Sequence, residues 1–253
     1  MAEFSFEDTE RVLSRLAEDV ESVVLVGGQA LNFWVEQFKA RAPELREPNP
    51  FTSNDVDFLG DVNAANRFAS RLNGKAHVAD AFDPTPNAAV VVFADHKGEN
   101  RCIDFLKHVF GLDRQRIIET SIPISLIDAD GKPSNTSFRI LNPVLCMESR
   151  VHNSIGLPLY YGTPHGLNQM RASIVCAREY LRELLQRGDI RSVLRANEQI
   201  FRFVMRNHNG RRAYEATGID PFGAVVHEPP LPDRFINVRY PQMKQSLAAR
   251  RRA

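Results

Sequence analysis

The sequence predicts an α/β front of about 140 residues followed by a helical back. Three observations lead there. Short apolar runs alternate with helical patterns as far as residue 141, the hydrophobic period is helical from Pro143 onward, and the charge changes sign between the two parts. Residues 1–125 carry 13 Lys and Arg against 20 Asp and Glu, a net of −7, and residues 126–253 carry 19 against 11, a net of +8. An acidic part gathers metal ions and a basic part gathers phosphate, so the split suggests two parts with different tasks. The expected domains are 1–140 and 141–253, the second mainly helical with an irregular C-terminal tail.

In chain order, residues 6–20 read as an amphipathic helix in which Val12, Leu13 and Leu16 share a face. Val23-Val24-Leu25-Val26 is an all-apolar run of the kind a buried strand shows. It ends at Gly27-Gly28, and Ala30, Leu31, Trp34, Val35 and Phe38 then give a helix from Gln29. Pro43, Pro48 and Pro50 make 40–52 a loop. A strand over 55–59, a helix over 62–72 and a short strand over 75–79 precede a break at Asp83-Pro84-Thr85-Pro86-Asn87. Residues 88–94 and 101–106 flank a turn and predict a hairpin, and 121–128 with 137–141 predict another strand pair. Helical patterns cover 143–154, 166–187 and 190–208. After these, Pro221, Pro229, Pro230, Pro232 and Pro241 predict irregular chain ending in a frayed Arg250-Arg251-Arg252.

Several classes are excluded. At 43% hydrophobic and 25% charged, the composition is that of an ordinary globular protein. No apolar run approaches the ~20 residues a membrane helix needs, and the acidic start has no signal pattern. A cytoplasmic protein with no membrane partner is expected. Cys102, Cys146 and Cys176 are scattered and odd in number, which predicts mostly buried thiols rather than a zinc site or a disulfide framework.

Asn54-Asp55-Val56-Asp57-Phe58-Leu59 is the most informative stretch. Side chains alternate along a strand, so Asp55 and Asp57 point one way while Val56 and Phe58 anchor the other face. Two carboxylates projecting together repel, and a divalent cation offsets the repulsion. The apolar residues between them exclude an EF-hand loop. Arg101-Cys102-Ile103-Asp104-Phe105-Leu106 places a third acid inside an apolar strand, where an unpaired carboxylate costs roughly several kcal/mol. Were a neighbouring strand to bring Asp104 beside the first two, three acids would hold two Mg²⁺ ions about 3.5–4 Å apart for in-line phosphoryl chemistry.

Val23–Val26, Gly27-Gly28 and the helix after them make a strand–turn–helix. Glycines let backbone approach a ligand closely, and a helix N-terminus offers N–H groups to a triphosphate, with Gln29 as a further side-chain donor. The turn is neither a P-loop, since no Lys-Ser/Thr follows, nor a GxGxxG fingerprint.

Leu25-Val26-Gly27-Gly28-Gln29-Ala30, Ser53-Asn54-Asp55-Val56-Asp57-Phe58 and Cys102-Ile103-Asp104-Phe105 together resemble the nucleotidyltransferase superfamily that includes DNA polymerase beta. The resemblance covers about residues 20–110. Within the superfamily the chain looks closest to stand-alone bacterial enzymes of the abortive-infection and toxin type. It implies a mixed sheet flanked by helices, followed by a helical domain that helps hold substrate. It further implies a transferase that binds ATP or another NTP with Mg²⁺ or Mn²⁺, and moves a nucleoside monophosphate to an acceptor hydroxyl. RNA (including tRNA), a protein hydroxyl and a small molecule all stand as acceptors. As the resemblance implies, Asp55 and Asp57 bind the metal that carries the triphosphate, Asp104 completes a second metal, and Ser53 contacts phosphate. Many relatives carry a Lys after a Pro-containing helix start; here Leu141-Asn142-Pro143 leads to Arg150 as the nearest candidate.

The back half carries arginines at helical spacing. Arg191, Arg195, Arg202 and Arg206 fall in one stripe, and Arg171, Arg178 and Arg182 in another, both suited to a polynucleotide backbone or to a solvated helix face. The competing expectation is therefore a catalytically degenerate protein that binds nucleic acid or a protein partner through this basic half.

Overall fold

Seven strands form one mixed sheet in the order β3-β4-β5-β2-β1-β7-β6. The strands are β1 (Val24–Leu25), β2 (Asp55–Leu59), β3 (Lys75–Val78), β4 (Asn87–Ala94), β5 (Asn100–Leu106), β6 (Ile122–Ile127) and β7 (Pro133–Ile140). The computed structural model describes residues 6–16, 23–46, 55–80, 82–127 and 133–252. By its internal contacts the chain divides into two units. The first comprises residues 1–37 and 48–149, the second residues 38–47 and 150–253.

The first unit holds the sheet with α1 (Phe6–Leu16), α2 (Gly27–Phe38), α3 (Val62–Leu72), α4 (Arg114–Thr120) and the first half of α5 (Pro143–Gly156). The two central strands β2 and β5 run parallel, while β1 lies antiparallel to β2 and parallel to β7. The apolar alternation of β2 and β5 fixes which face is core. Val56, Phe58, Ile103 and Phe105 are fully buried, and Phe68 of α3 packs edge-on against both Phe58 and Phe105 at centroid distances of 5.4 and 5.0 Å. On the far side of the turn, Trp34 of α2 donates from Nε1 to the Leu141 carbonyl at 2.8 Å, which ties α2 to the end of β7.

The β4–β5 hairpin turns on Asp95. Its carboxylate accepts from the Lys97 and Glu99 N–H groups and from Arg101 Nε at 2.8 Å. Arg101 is only 2% exposed, and a buried guanidinium is tolerated because Asp95, Glu99 and Asp8 all face it. α4 has no counterpart in the sequence reading. It is one short stretch with a single buried side chain, Ile117, and it starts on an Asp113 cap.

The second unit contains α6 (Pro164–Gln186), α7 (Ile190–Arg206), α8 (His208–Thr217), a π-helix (Phe235–Arg239) and α9 (Tyr240–Arg252). Thr163, Asp189 and Asn207 cap α6, α7 and α8 with side-chain oxygens, and Gly218 ends α8 in the left-handed region. The region expected to be irregular is partly helical, which corrects the reading of the tail. Pro241 falls where the π-helix passes into α9, and Met243 and Leu247, four apart, are buried. Arg250 Nη1 donates to the Val204 carbonyl at 2.9 Å, so the arginines that end the chain extend a helix rather than a frayed coil. Among the described residues, no helix is long and apolar enough to cross a membrane.

Candidate metal centre

Asp57 of β2 and Asp104 of β5 are register partners on adjacent parallel strands, and Asp55 lies two residues before Asp57 on the same face. Each of the three is half-buried, and one carboxylate oxygen from each lies within 4.8 Å of the other two. The opposite face of both strands is sealed by the phenylalanine cluster, which leaves the acids one direction to point. The sheet order, with β5 beside β2, is what turns two separate sequence motifs into one site.

The glycine turn closes on the same carboxylates. Val26 N–H donates to the Asp57 carbonyl at 2.9 Å, and the chain then turns at Gly27 with φ +69°. A Cβ on Gly27 would lie 1.8 Å from Asp57 Oδ2, so a side chain is excluded by contact as well as by backbone conformation. Gly28 follows in the first turn of α2, which brings a helix N-terminus to the site.

The electrostatics are those of crowded acids. Burial pushes the Asp104 carboxyl above the usual aspartate range, the Asp55 charge adds to the shift, and a side-chain hydrogen bond with Asn87 opposes it. Cys102, opposite Asp55 in register, has its thiol raised by burial and then by Asp104 and Asp55. Two different groups thus report the same negative potential. Three oxygen donors, with no nitrogen ligand among the described residues, in a negative field fit a hard divalent cation such as Mg²⁺ or Mn²⁺.

Asp55, Asp57, Asp104 and Gly27 are therefore brought together. Gln29 is 2% exposed and its Oε1 accepts from Asn32 Nδ2 at 3.2 Å within α2. Arg150 belongs to the second unit, is buried, and donates from Nη1 to Gln169 Oε1 at 3.2 Å. Ser53 lies outside the described residues. Sequence reading missed Asn87 and Cys102. Cys102 was accessible through its i−2 spacing from Asp104, whereas Asn87 reaches the site only through strand pairing.

No protein-family model matches the chain, and no curated protein matches it. Similar solved structures include an antigenic nucleotidyltransferase-like protein from Paracoccidioides brasiliensis, at 13% identity and a TM-score of 0.44, covering 77% of this chain and 95% of that one. Another is JHP933 from Helicobacter pylori, at 12% identity and a TM-score of 0.41, covering 96% of this chain and 97% of that one. Likeness of this degree says nothing about activity, which has to be derived from the residues.

Proposed function

We propose that the protein is a metal-dependent nucleotidyltransferase, moving a nucleoside monophosphate from an NTP to an acceptor hydroxyl and releasing pyrophosphate. One observation carries the reading: three carboxylates from adjacent strands converge within 4.8 Å against a glycine turn that has no room for a side chain. A carboxylate cluster provides the cation site, and the N–H groups of Gly27 and Gly28 at the start of α2 suit phosphate oxygens.

In this reading Asp55 and Asp57 hold Mg²⁺ or Mn²⁺ with the triphosphate, and Asp104 faces the acceptor. A bound divalent cation neutralises phosphate charge and favours loss of the hydroxyl proton. Asp104, the register partner of Asp57, would complete a second cation site and so favour loss of that proton. The oxygen attacks the α-phosphorus in line, the bond to the bridging oxygen of the β-phosphate breaks, and pyrophosphate leaves. The chain contributes mainly position and charge. Ser53 is assigned a phosphate contact. A similar contact from Arg150 would require its hydrogen bond to Gln169 to rearrange. The acceptor is RNA, a protein hydroxyl or a small molecule.

The test is incubation with each α-³²P-labelled NTP, Mg²⁺ or Mn²⁺, and pooled cellular RNA, protein and small-molecule extract. Wild type is expected to transfer label, and the Asp55→Asn, Asp57→Asn double variant to transfer none. Equal labelling by the two overturns the reading. A toxin role, proposed here from the resemblance alone, predicts growth arrest on expression that Asp57→Ala relieves.

A further inference from the structure

Unit 2 offers an arginine surface beside an apolar cavity. Arg191, Arg195, Arg202 and Arg206 are all exposed on α7, and at 3.6 residues per turn they fall within an arc of about 60° along about 22 Å of helix. None of the four forms an ion pair among the described residues. Asp189, the cap of α7, acts on Arg195 only through its field, and Glu198, which Arg239 holds at 2.6 and 2.8 Å, acts on Arg202 in the same way. The arginines of α6 behave differently. Arg178 pairs with Glu44 and Glu179, Arg182 with Glu179 and Glu228, and Arg187 with Glu183. In the α6 stripe Arg178 and Arg182 are ion-paired and exposed Arg171 bonds only to Asn168 Oδ1, whereas all four arginines of the α7 stripe lack an ion pair among the described residues.

A cavity of about 390 Å³ opens along the edge of the α7 stripe, lined by Leu194, Glu198, Pro232, Arg234, Phe235 and Arg239. Leu194 and Glu198 sit on α7 between the arginines in height, about 60° and 20° outside the near edge of their arc. The walls are mostly apolar, and the Glu198–Arg239 pair supplies an acceptor and donors at one side. Phe235 and Arg239 begin and end the π-helix, a form common at functional sites. Exposed Arg234 adds a fifth cation to the rim.

Exposed cations in a row, none held in an ion pair among the described residues, match a phosphodiester chain, and an apolar pocket with polar groups at its side matches an unstacked base. We propose that this face of unit 2 binds single-stranded nucleic acid, its phosphates on Arg191, Arg195, Arg202 and Arg206 and one base in the cavity beside Leu194 and Phe235. Duplex hides its bases in the stack and cannot fill the cavity. The site does not depend on the metal centre and binds in EDTA.

The test is fluorescence anisotropy with the full chain, a 5′-fluorescein-labelled 15-nucleotide RNA, the DNA of the same sequence, their duplexes, and a 15-nucleotide strand of abasic sites, all in EDTA. Wild type is expected to prefer a single strand over its duplex, with RNA and DNA arms deciding which sugar it favours. The exposed Arg195→Glu, Arg202→Glu double variant is expected to bind at least about tenfold more weakly, with a shallower salt dependence. Leu194→Trp, which fills the cavity, is expected to lose about five- to tenfold for the natural strand and nothing for the abasic one. On wild type the abasic strand is expected to bind about five- to tenfold more weakly than the natural strand, a comparison that needs no variant to fold. Duplex binding as tight as single strand, or an abasic strand bound as well as the natural one, overturns the proposal. So does an affinity unchanged by the arginine reversals. Because no nucleotide or metal is present, these outcomes are separate from success or failure of nucleotidyl transfer.

Discussion

At residue scale the candidate metal centre leaves no room for a side chain at Gly27. Gly27→Ala would put a methyl group 1.8 Å from Asp57 Oδ2 at a φ of +69°, so Asp57 or the turn must move. Displacing a positioned group by about 1 Å costs on the order of 10²-fold in rate. We therefore expect transfer activity to fall by about that factor, with loss of Mn²⁺ binding measured by titration calorimetry. Retention of both would show that the turn does not shape the site. Asp104 makes a second prediction. Its folded proton affinity is raised by burial and by Asp55, so as pH rises through the unfolded value near 3.8 the native state is increasingly penalised, fully so above the folded value. At pH 7 without metal, Asp104→Asn is expected to melt higher than wild type and to lose the rise in Tm that Mn²⁺ gives the native protein. At pH 3, where Asp104 is protonated in both states, the gap should close. A lower melting point at pH 7 would refute this account. The acids were readable from sequence because a carboxylate inside an apolar strand has few harmless explanations. Asn87, the neutral partner of Asp104, was not readable, because an asparagine after Asp-Pro-Thr-Pro looks like any turn residue.

At element scale the legible parts were those where periodicity and burial agree. β2 and β5 alternate as expected, with Val56, Phe58, Ile103 and Phe105 buried and the acids on the other face. α7 shows the same agreement, since Val193, Ile200, Phe203 and Val204 are core while its arginine stripe is exposed. The segment after residue 218 was misread because local composition does not determine it. Prolines and arginines argue for loop, yet tertiary contacts decide otherwise. Residues 221–226 show how: Asn197 of α7, fully buried, donates from Nδ2 to the Val226 carbonyl at 2.7 Å and accepts from the Val226 N–H at 3.1 Å. A side-chain amide here pairs with a backbone peptide as a strand would, which lets irregular chain be buried against a helix. Asn197→Leu leaves both backbone groups unsatisfied and is expected to cost about 2–4 kcal/mol in urea unfolding. Asn197→Asp keeps the acceptor, loses the donor, and should also destabilise. A change under 0.5 kcal/mol for Asn197→Leu would mean that this peptide finds other partners.

At the scale of the whole molecule the charge split is sharper by unit than by sequence half. The first unit carries 12 Lys and Arg against 21 Asp and Glu, a net of −9, and the second 20 against 10, a net of +10. Near-neutral overall charge therefore hides two opposite fields, and acid acts on the two units through different groups. In the second unit the controlling group is His152 of α5. Burial lowers it from 6.5 to about 4, and its neutral ring accepts at Nδ1 from Asn209 Nδ2 at 3.0 Å while packing edge-on against Phe203 at 5.4 Å. A proton on Nδ1 would set donor against donor. Above pH 6.5 the ring is neutral in both states and contributes no pH dependence. As pH falls below 6.5 the unfolded chain binds a proton that the native protein refuses, so stability drops until pH reaches about 4. Between pH 7 and pH 5 the loss is roughly 2 kcal/mol. The carboxylates act lower on the scale. Glu44 is depressed by a backbone hydrogen bond and Glu198 by Arg239, so both stabilise above their unfolded value of 4.5 and lose that contribution as pH falls through the folded ones. Urea unfolding from pH 8 to pH 3 should show two separate losses. His152→Gln, which keeps an acceptor for Asn209 without titrating, is expected to remove the first and leave the second. If the variant still loses stability between pH 7 and pH 5 as wild type does, a group other than His152 governs the unit, and the buried imidazole is only a packing element.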